Sequence, residues 1–283
     1  PFLTKLMKAA GSSHLWSPEM PKAAKAPLPR TSLEGAQAIY FPACISRMMG
    51  HLPGEPEDLS LVEALVKVSE RAGVPVHIPL DVEGTCCGVP FSSKGFDEAH
   101  RYTVNHAIEK FWAWTQGGRL PVVMDTSPCT HGVVTSRAYL TPENQARFDK
   151  LQIMDSTAFA HQVLLPKLEV KRKVGSVVLH PVCSVTKMNL LPALEGVARA
   201  CADKVVVPRD AGCCGFSGDR GVTHPELTAS ATKHEAREVK AQSFDGHYAS
   251  SRTCEVGLTR STGENYRSFL YLLEEATRPE VLQ

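Results

Sequence analysis

No stretch of this 283-residue chain is apolar for the roughly 18–20 residues that a membrane-spanning helix requires. The start lacks the ordered charged, apolar and small-residue regions of a secretory signal. A formal net charge of +1 gives no reason to invoke nucleic acid or a strongly acidic partner. No glycine fingerprint for a dinucleotide follows a strand, and no tight Cys-x-x-Cys-x-x-Cys run is present. The short Cys-x-x-Cys clips of common zinc modules are missing too. No serine, cysteine or carboxylate arrangement suits hydrolysis. What remains, 43% hydrophobic and 22% charged, is the composition of a soluble globular protein, long enough for two domains or one doubled unit.

Against these absences stands one cysteine pattern written twice. The first copy is Cys44, then Cys86-Cys87-Gly88, then Cys129; the second is Cys183, then Cys213-Cys214-Gly215, then Cys254. The flanking text repeats with it. Tyr40-Phe41-Pro42-Ala43-Cys44 answers Leu179-His180-Pro181-Val182-Cys183, and Gly84-Thr85-Cys86-Cys87-Gly88 answers Ala211-Gly212-Cys213-Cys214-Gly215. Nine cysteines is an odd number, and vicinal pairs in a chain this long argue against a disulfide scaffold. Metal-bound thiolates in a reducing, cytoplasmic setting are expected. Pro1 at the start suggests a processed chain or a piece of a longer one.

Residues 1–36 read as an N-terminal arm or linker, because Pro18, Pro21, Pro27 and Pro29 favour extended backbone after a short amphipathic helix over Pro1 to Ala10. The rest alternates strand and helix, which predicts an α/β chain of two tandem Rossmann-like repeats with parallel sheets, related by internal duplication. The first repeat is placed at 37–141, a helical bridge at 142–172 and the second repeat at 173–283. Strands are expected at Ala38 to Phe41, Val74 to Ile78, Pro121 to Met124, Ser176 to Leu179, Lys204 to Val207 and His247 to Ala249. Long helices are expected over Asp97 to Gln116, Pro225 to Gln242 and Tyr266 to Ala276.

Each cysteine element follows a predicted strand. In a parallel sheet all carboxyl ends share one edge, where ligands gather. Three loops per half can therefore bring Cys44, Cys86, Cys87 and Cys129 together, and likewise Cys183, Cys213, Cys214 and Cys254. Two adjacent cysteines need a turn to aim at one centre, a task for Gly88 and Gly215. Thiolates select soft metals, chiefly iron–sulfur clusters or zinc; a zinc-stapled docking module without redox chemistry is the competing reading.

These residues resemble the cysteine-rich CCG domain family. That family includes the cysteine-rich component of heterodisulfide reductase, the iron–sulfur subunits of anaerobic glycerol-3-phosphate dehydrogenase and glycolate oxidase, and lactate utilisation iron–sulfur proteins. The resemblance runs from about Ala38 to the end. Phe41 to Gly50, Gly212 to Gly221 and Cys254 to Leu258 are similar to the C-terminal region of bacterial FAD-linked, iron–sulfur D-lactate dehydrogenases. That likeness implies an iron–sulfur cluster in each foursome, of the 4Fe-4S type. It also implies FAD and ferredoxin-like clusters in upstream domains of the same polypeptide, and a quinone, cytochrome or protein as electron acceptor. The site would be cytoplasmic, or peripheral on the inner face of the cytoplasmic membrane, and this piece alone would not oxidise the hydroxy acid. A disulfide reductase activity of the heterodisulfide type is the alternative within the family. The fuller family motif ends in Cys-x-x-Cys; here Gly132 and Gly257 hold the last position, which leaves a cubane, a cluster with a non-cysteine ligand, and zinc in one half all open.

Other residues read more plainly. His131, beside Cys129, is the first candidate for an extra ligand, ahead of His180. Cys201 shares a helical face with Leu194, Val197 and Ala198 and reads as core. Arg47, Lys94, Lys187, Arg220, Arg252 and Arg260 lie near cysteines in sequence and could offset thiolate charge. Phe111, Trp112 and Trp114 read as packing.

Overall fold

Short runs of branched and aromatic residues, bounded by proline, glycine and threonine, make the strands. In the computed structural model, which describes residues 6, 9–11, 21–24 and 27–279, they form two four-stranded sheets. The first contains β1 (Ala38–Phe41), β2 (Val76–His77), β3 (Val122–Met124) and β4 (Ile153–Asp155), in the order β2-β1-β3-β4. The second contains β5 (Val174–Leu179), β6 (Ala202–Val206), β7 (Gly246–Ala249) and β8 (Tyr266–Ser268), in the order β6-β5-β7-β8. Every pairing is parallel. The α/β class and the duplication are thus present, with one topology used twice. β1, β3 and β7 are buried throughout, as expected of strands covered on both faces.

The chain winds one way from β1 to β2 and the other way from β1's far side to β3. This reversal puts a crevice at the carboxyl ends of β1 and β3, and its equivalent at β5 and β7. The loops that carry the cysteines leave from those ends.

Three expectations about elements change. The stretch read as a helical bridge holds a strand: β4 pairs with β3 from Val122↔Ile153 to Met124↔Asp155, so it completes the first sheet. The closing helix likewise starts later, at Phe269, because Tyr266–Ser268 pairs with β7 first. Each fourth strand then runs directly into a helix whose N-cap side chain accepts a backbone N–H, Asp155 from Thr157 and Ser268 from Leu270. The expected helix over Pro225 to Gln242 is two helices, Pro225–Ala231 and Lys233–Lys240. Between them the Thr232 hydroxyl donates to the Thr228 carbonyl at 2.8 Å and contacts the Ser261 hydroxyl at 2.7 Å. The amphipathic helix read over Pro1 to Ala10 and most of the proline tether lie outside the described residues. Where the tether is described it lies on the body: Gly50 N–H donates to the Lys22 carbonyl at 2.7 Å, and Ala24 N–H to that of Met48 at 2.8 Å.

The two halves share one hydrophobic core. The Leu61–Arg71 helix of the first packs on the Phe269–Thr277 helix of the second. Arg71 pairs with Glu274 at 3.0 Å and donates to the Thr277 hydroxyl at 2.6 Å. The Tyr271 hydroxyl donates to the Leu59 carbonyl at 3.2 Å. A buried ion pair, Arg252 with Glu55 at 2.8 Å, also joins the halves.

Candidate metal centres

Cys44 and Cys183 open short helices just past β1 and β5, Cys44–Met48 and Cys183–Lys187. Cys129 and Cys254 are the third residues of helices that follow β3 and β7, Ser127–Val134 and Arg252–Thr262. The vicinal pairs lie in the loops after β2 and β6. The glycine after each pair adopts a left-handed conformation, φ 82° at Gly88 and 69° at Gly215, and its N–H turns back to the first sulfur of the pair at 3.5 Å. A side chain at Gly88 would meet His100 Nδ1 at 2.8 Å, and one at Gly215 would meet Ala231 Cβ and the Leu227 carbonyl at 2.8 Å.

Within each foursome the sulfurs meet. Cys87 and Cys129 Sγ are 3.0 Å apart, and Cys214 and Cys254 Sγ are 3.1 Å apart. Cys44 hydrogen-bonds Cys86, and Cys183 hydrogen-bonds Cys213. The inner pairs are buried; the outer pairs are half-buried, with Cys213 exposed. Each centre is therefore graded from protein interior to surface.

The thiols divide the charge. A hydrogen bond from Cys44, with burial opposing, depresses the Cys86 thiol, and Arg47 adds a smaller push down. A hydrogen bond from Cys183 lowers Cys213 to about 5, and one from Cys254 lowers Cys214. Cys44 and Cys183 are pushed up by those same contacts and by burial. Arg47 holds its loop in place, donating to the carbonyls of Val82 at 2.6 Å and Thr85 at 2.7 Å, immediately before Cys86. Lys187, one turn along from Cys183, opposes the rise at Cys183 and adds a smaller push down at Cys213. Two of the other cations near cysteines are engaged elsewhere. Lys94 pairs with Asp219 at 2.7 Å across the halves, and Arg260 donates to the Gly221 carbonyl at 2.6 Å.

A polar scaffold fixes the loops. Buried Asp125, at the end of β3, accepts from Tyr40 OH at 2.6 Å and from the Ala43 N–H, next to Cys44, at 2.9 Å. Asp155 accepts from Thr130, next to Cys129, at 2.8 Å. Burial raises both carboxyls. Glu255, beside Cys254, is fully buried with neither oxygen hydrogen-bonded among the described residues, and burial pushes its carboxyl up to about 8.

The donor set suits a cluster of soft metal ions: four sulfurs at each centre, from three loops. The inner sulfurs touch at 3.0 and 3.1 Å, closer than the edge of about 3.8 Å of a zinc tetrahedron with Zn–S bonds of ~2.3 Å; a cluster holds its thiolates farther apart still, so either metal would spread them. Among the described residues, no group of three or more His, Cys, Asp or Glu is arranged to hold a metal ion.

Both positions where the family motif carries a further cysteine are closely packed. A Cβ at position 132 would lie 2.1 Å from Val89 Cγ2, and one at 257 would lie 3.2 Å from Phe216 and Thr228. His131 lines a cavity of about 330 Å³ with Cys183, Ser184 and Lys187 of the second half, and burial and Lys187 hold its ring toward the neutral form. Cys201 is fully buried in the core, its thiol pushed up to about 12 by burial. Phe111 packs edge-on to Phe41 at 5.1 Å, as a core residue does. His180, read as the lesser ligand candidate, is fully buried, with Nδ1 2.7 Å from the buried Glu235 carboxylate.

A duplicated α/β body with a cysteine foursome at each sheet edge defines a class, and comparison narrows it. The model of the cysteine-rich domain, CCG, matches residues 38–132 and 177–259, more than half of the chain. The chain belongs to this family. It is 23% identical to "Lactate utilization protein A" of Oceanobacillus iheyensis over 186 residues, 62% of this chain and 71% of that protein. A solved structure of a hypothetical protein from Helicobacter pylori superposes with a TM-score of 0.57 at 9% identity. That match takes in 98% of this chain but only 54% of the other, so it speaks to the fold alone. Family and relative together support an iron–sulfur, redox-related module. Among the described residues no helix is long and apolar enough to cross a membrane.

Proposed function

We propose that this chain is the iron–sulfur electron-transfer module of a flavin-dependent oxidoreductase that acts on D-lactate or a related 2-hydroxy acid. The observation that carries the reading is the convergence of two sulfur foursomes at equivalent sheet edges of a doubled fold. The name of the relative from Oceanobacillus iheyensis supports the lactate context. Cys44, Cys86, Cys87 and Cys129 would hold one cluster, and Cys183, Cys213, Cys214 and Cys254 the other. An iron–sulfur cluster, when bound, supplies a one-electron redox step.

The chain's own groups do the rest. Gly88 and Gly215 turn the vicinal pairs toward their centres. Arg47 and Lys187 offset thiolate charge, which favours the reduced state. The buried inner cysteines keep water away, and the outer pairs face the surface where a partner would dock. Electrons would come from FAD and ferredoxin-like clusters of upstream domains and leave to a quinone, a cytochrome or a protein acceptor. The setting is the cytoplasm or the inner face of its membrane. The crowded Gly132 and Gly257 positions do not favour the five-sulfur disulfide reductase arrangement.

The test is iron and acid-labile sulfide analysis on anaerobically prepared protein, alongside low-temperature electron paramagnetic resonance. Two clusters per chain are expected, each abolished by serine replacement within its own foursome. Zinc alone, with no sulfide and no visible absorption, would overturn the reading.

A further inference from the structure

We propose that the groove between the Pro225–Ala231, Lys233–Lys240 and Arg252–Thr262 helices binds a compact phosphate-bearing polyanion, held by Lys233, Arg237, Lys240 and Arg260. The site lies apart from the sulfur foursomes and does not need either of them to be filled.

The groove is a hollow of about 600 Å³, within the size of ordinary ligand sites. Those four cations line it, and among the described residues no carboxylate does. The whole chain carries a formal charge of only +1, so this concentration of positive charge is local. The helix register produces it. Lys233, Arg237 and Lys240 stand at positions i, i+4 and i+7 of one helix, on a single face. The two acids of that helix are used elsewhere: Glu235 is buried 2.7 Å from His180, and Glu238 accepts the Arg209 N–H at 2.9 Å. Like charges four residues apart on a helix repel. Neither Lys233 nor Arg237 has an ion-pair partner among the described residues, so nothing there relieves the repulsion. A bound anion turns it into attraction.

The far wall is held in place. Lys240 Nζ donates to the Ser261 carbonyl at 2.8 Å, a neutral partner that aims the ammonium across the groove without cancelling its charge. Arg260 donates to the Gly221 carbonyl at 2.6 Å and lies over the Phe216 ring at 5.7 Å. Between the cations the walls are small side chains, Ala229 and Ala236, which leave the space open. A planar guanidinium meets two phosphate oxygens at once, and an ammonium meets another as a point charge. Cations that converge from two helices on one hollow suit adjacent phosphate groups, on a soluble ligand or a lipid headgroup. They do not form the long track that an extended acidic peptide would follow.

The experiment is titration calorimetry on the full chain, with pyrophosphate and inorganic phosphate as probes. Pyrophosphate should bind at one site per chain, more tightly than phosphate. Lys233→Gln and Arg237→Gln, both at exposed positions, should each weaken it about tenfold, and Arg237→Lys should lose less. Lys67→Gln, exposed on the Leu61–Arg71 helix, should change nothing. The two glutamine variants are independent, so either one decides if the other does not fold. Sedimentation with phosphatidylglycerol or phosphatidylcholine vesicles separates the sources. Binding to the first alone, competed by pyrophosphate and lost in the same variants, supports a lipid headgroup; pyrophosphate binding without vesicle binding supports a soluble ligand. Three results overturn the proposal: no saturable binding of pyrophosphate or vesicles, affinity unchanged in both glutamine variants, or binding of polyglutamate without pyrophosphate. Iron and sulfide content is a separate measurement, and the electron-transfer reading stands or falls by that alone.

Discussion

Arg252 carries a charge where charge is costly, and it does so two residues before Cys254. Its side chain is 2% exposed and that of Glu55 is 0% exposed. The guanidinium donates to both Glu55 oxygens, at 2.8 and 3.1 Å, and to the Gly50 carbonyl. A buried ion pair adds little net stability over a packed apolar pair, yet breaking it strands a charge. Arg252→Met should therefore destabilise the protein by about 3–5 kcal/mol. Adding Glu55→Met should return most of that loss, since neither charge then remains. Urea unfolding of the two single variants and the double variant checks this. Equal, small effects in the single variants would mean that water reaches the pair.

At the scale of elements, the vicinal-cysteine turns are the sharpest constraint. Gly215 has φ 69°, and a Cβ there would sit 2.8 Å from both Ala231 Cβ and the Leu227 carbonyl. A left-handed conformation costs a residue with a side chain about 1–2 kcal/mol, and this clash with backbone adds to it. Gly215→Ala should lower stability by about 2–3 kcal/mol and cut iron at the second centre while the first stays full. Iron per chain with spectra of both centres reads this directly. These turns were legible in the sequence, since a glycine after two cysteines that must face one centre has few other uses. β1 and β5 were legible too, as apolar runs ending at a cysteine. β4 and β8 were not. Three residues such as Ile153–Asp155 or Tyr266–Ser268 give too short a period to separate from the helix that follows. The break at Thr232 was hidden because threonine only competes weakly with a helix, and here Ser261, distant in sequence, completes the turn. The eight cysteines announced themselves by duplication. The buried contact of His180 with Glu235 did not, because the two lie 55 residues apart.

For the whole molecule, duplication has not produced two independent bodies. The core runs unbroken from β1 through the Phe269–Thr277 helix. The seam holds the Arg252–Glu55 and Arg71–Glu274 pairs and a contact of 3.2 Å between the Ser127 and Ser250 hydroxyls. Ser127 lies two residues before Cys129, and Ser250 four before Cys254, so the seam runs close to both centres. Each centre in turn ties three loops of its own half. Clusters that bind the folded state and not the unfolded chain stabilise it by linkage. Anaerobic removal of iron should therefore lower the unfolding midpoint by on the order of 10 °C. Because the halves share a core, the melt should remain one transition with or without metal, and loss of one cluster should shift the whole transition. Calorimetry on the loaded, the stripped and a single-foursome serine variant tests this. Two resolved transitions, one per half, would show that the seam is too weak to couple them, and the buried ion pairs would then need another explanation.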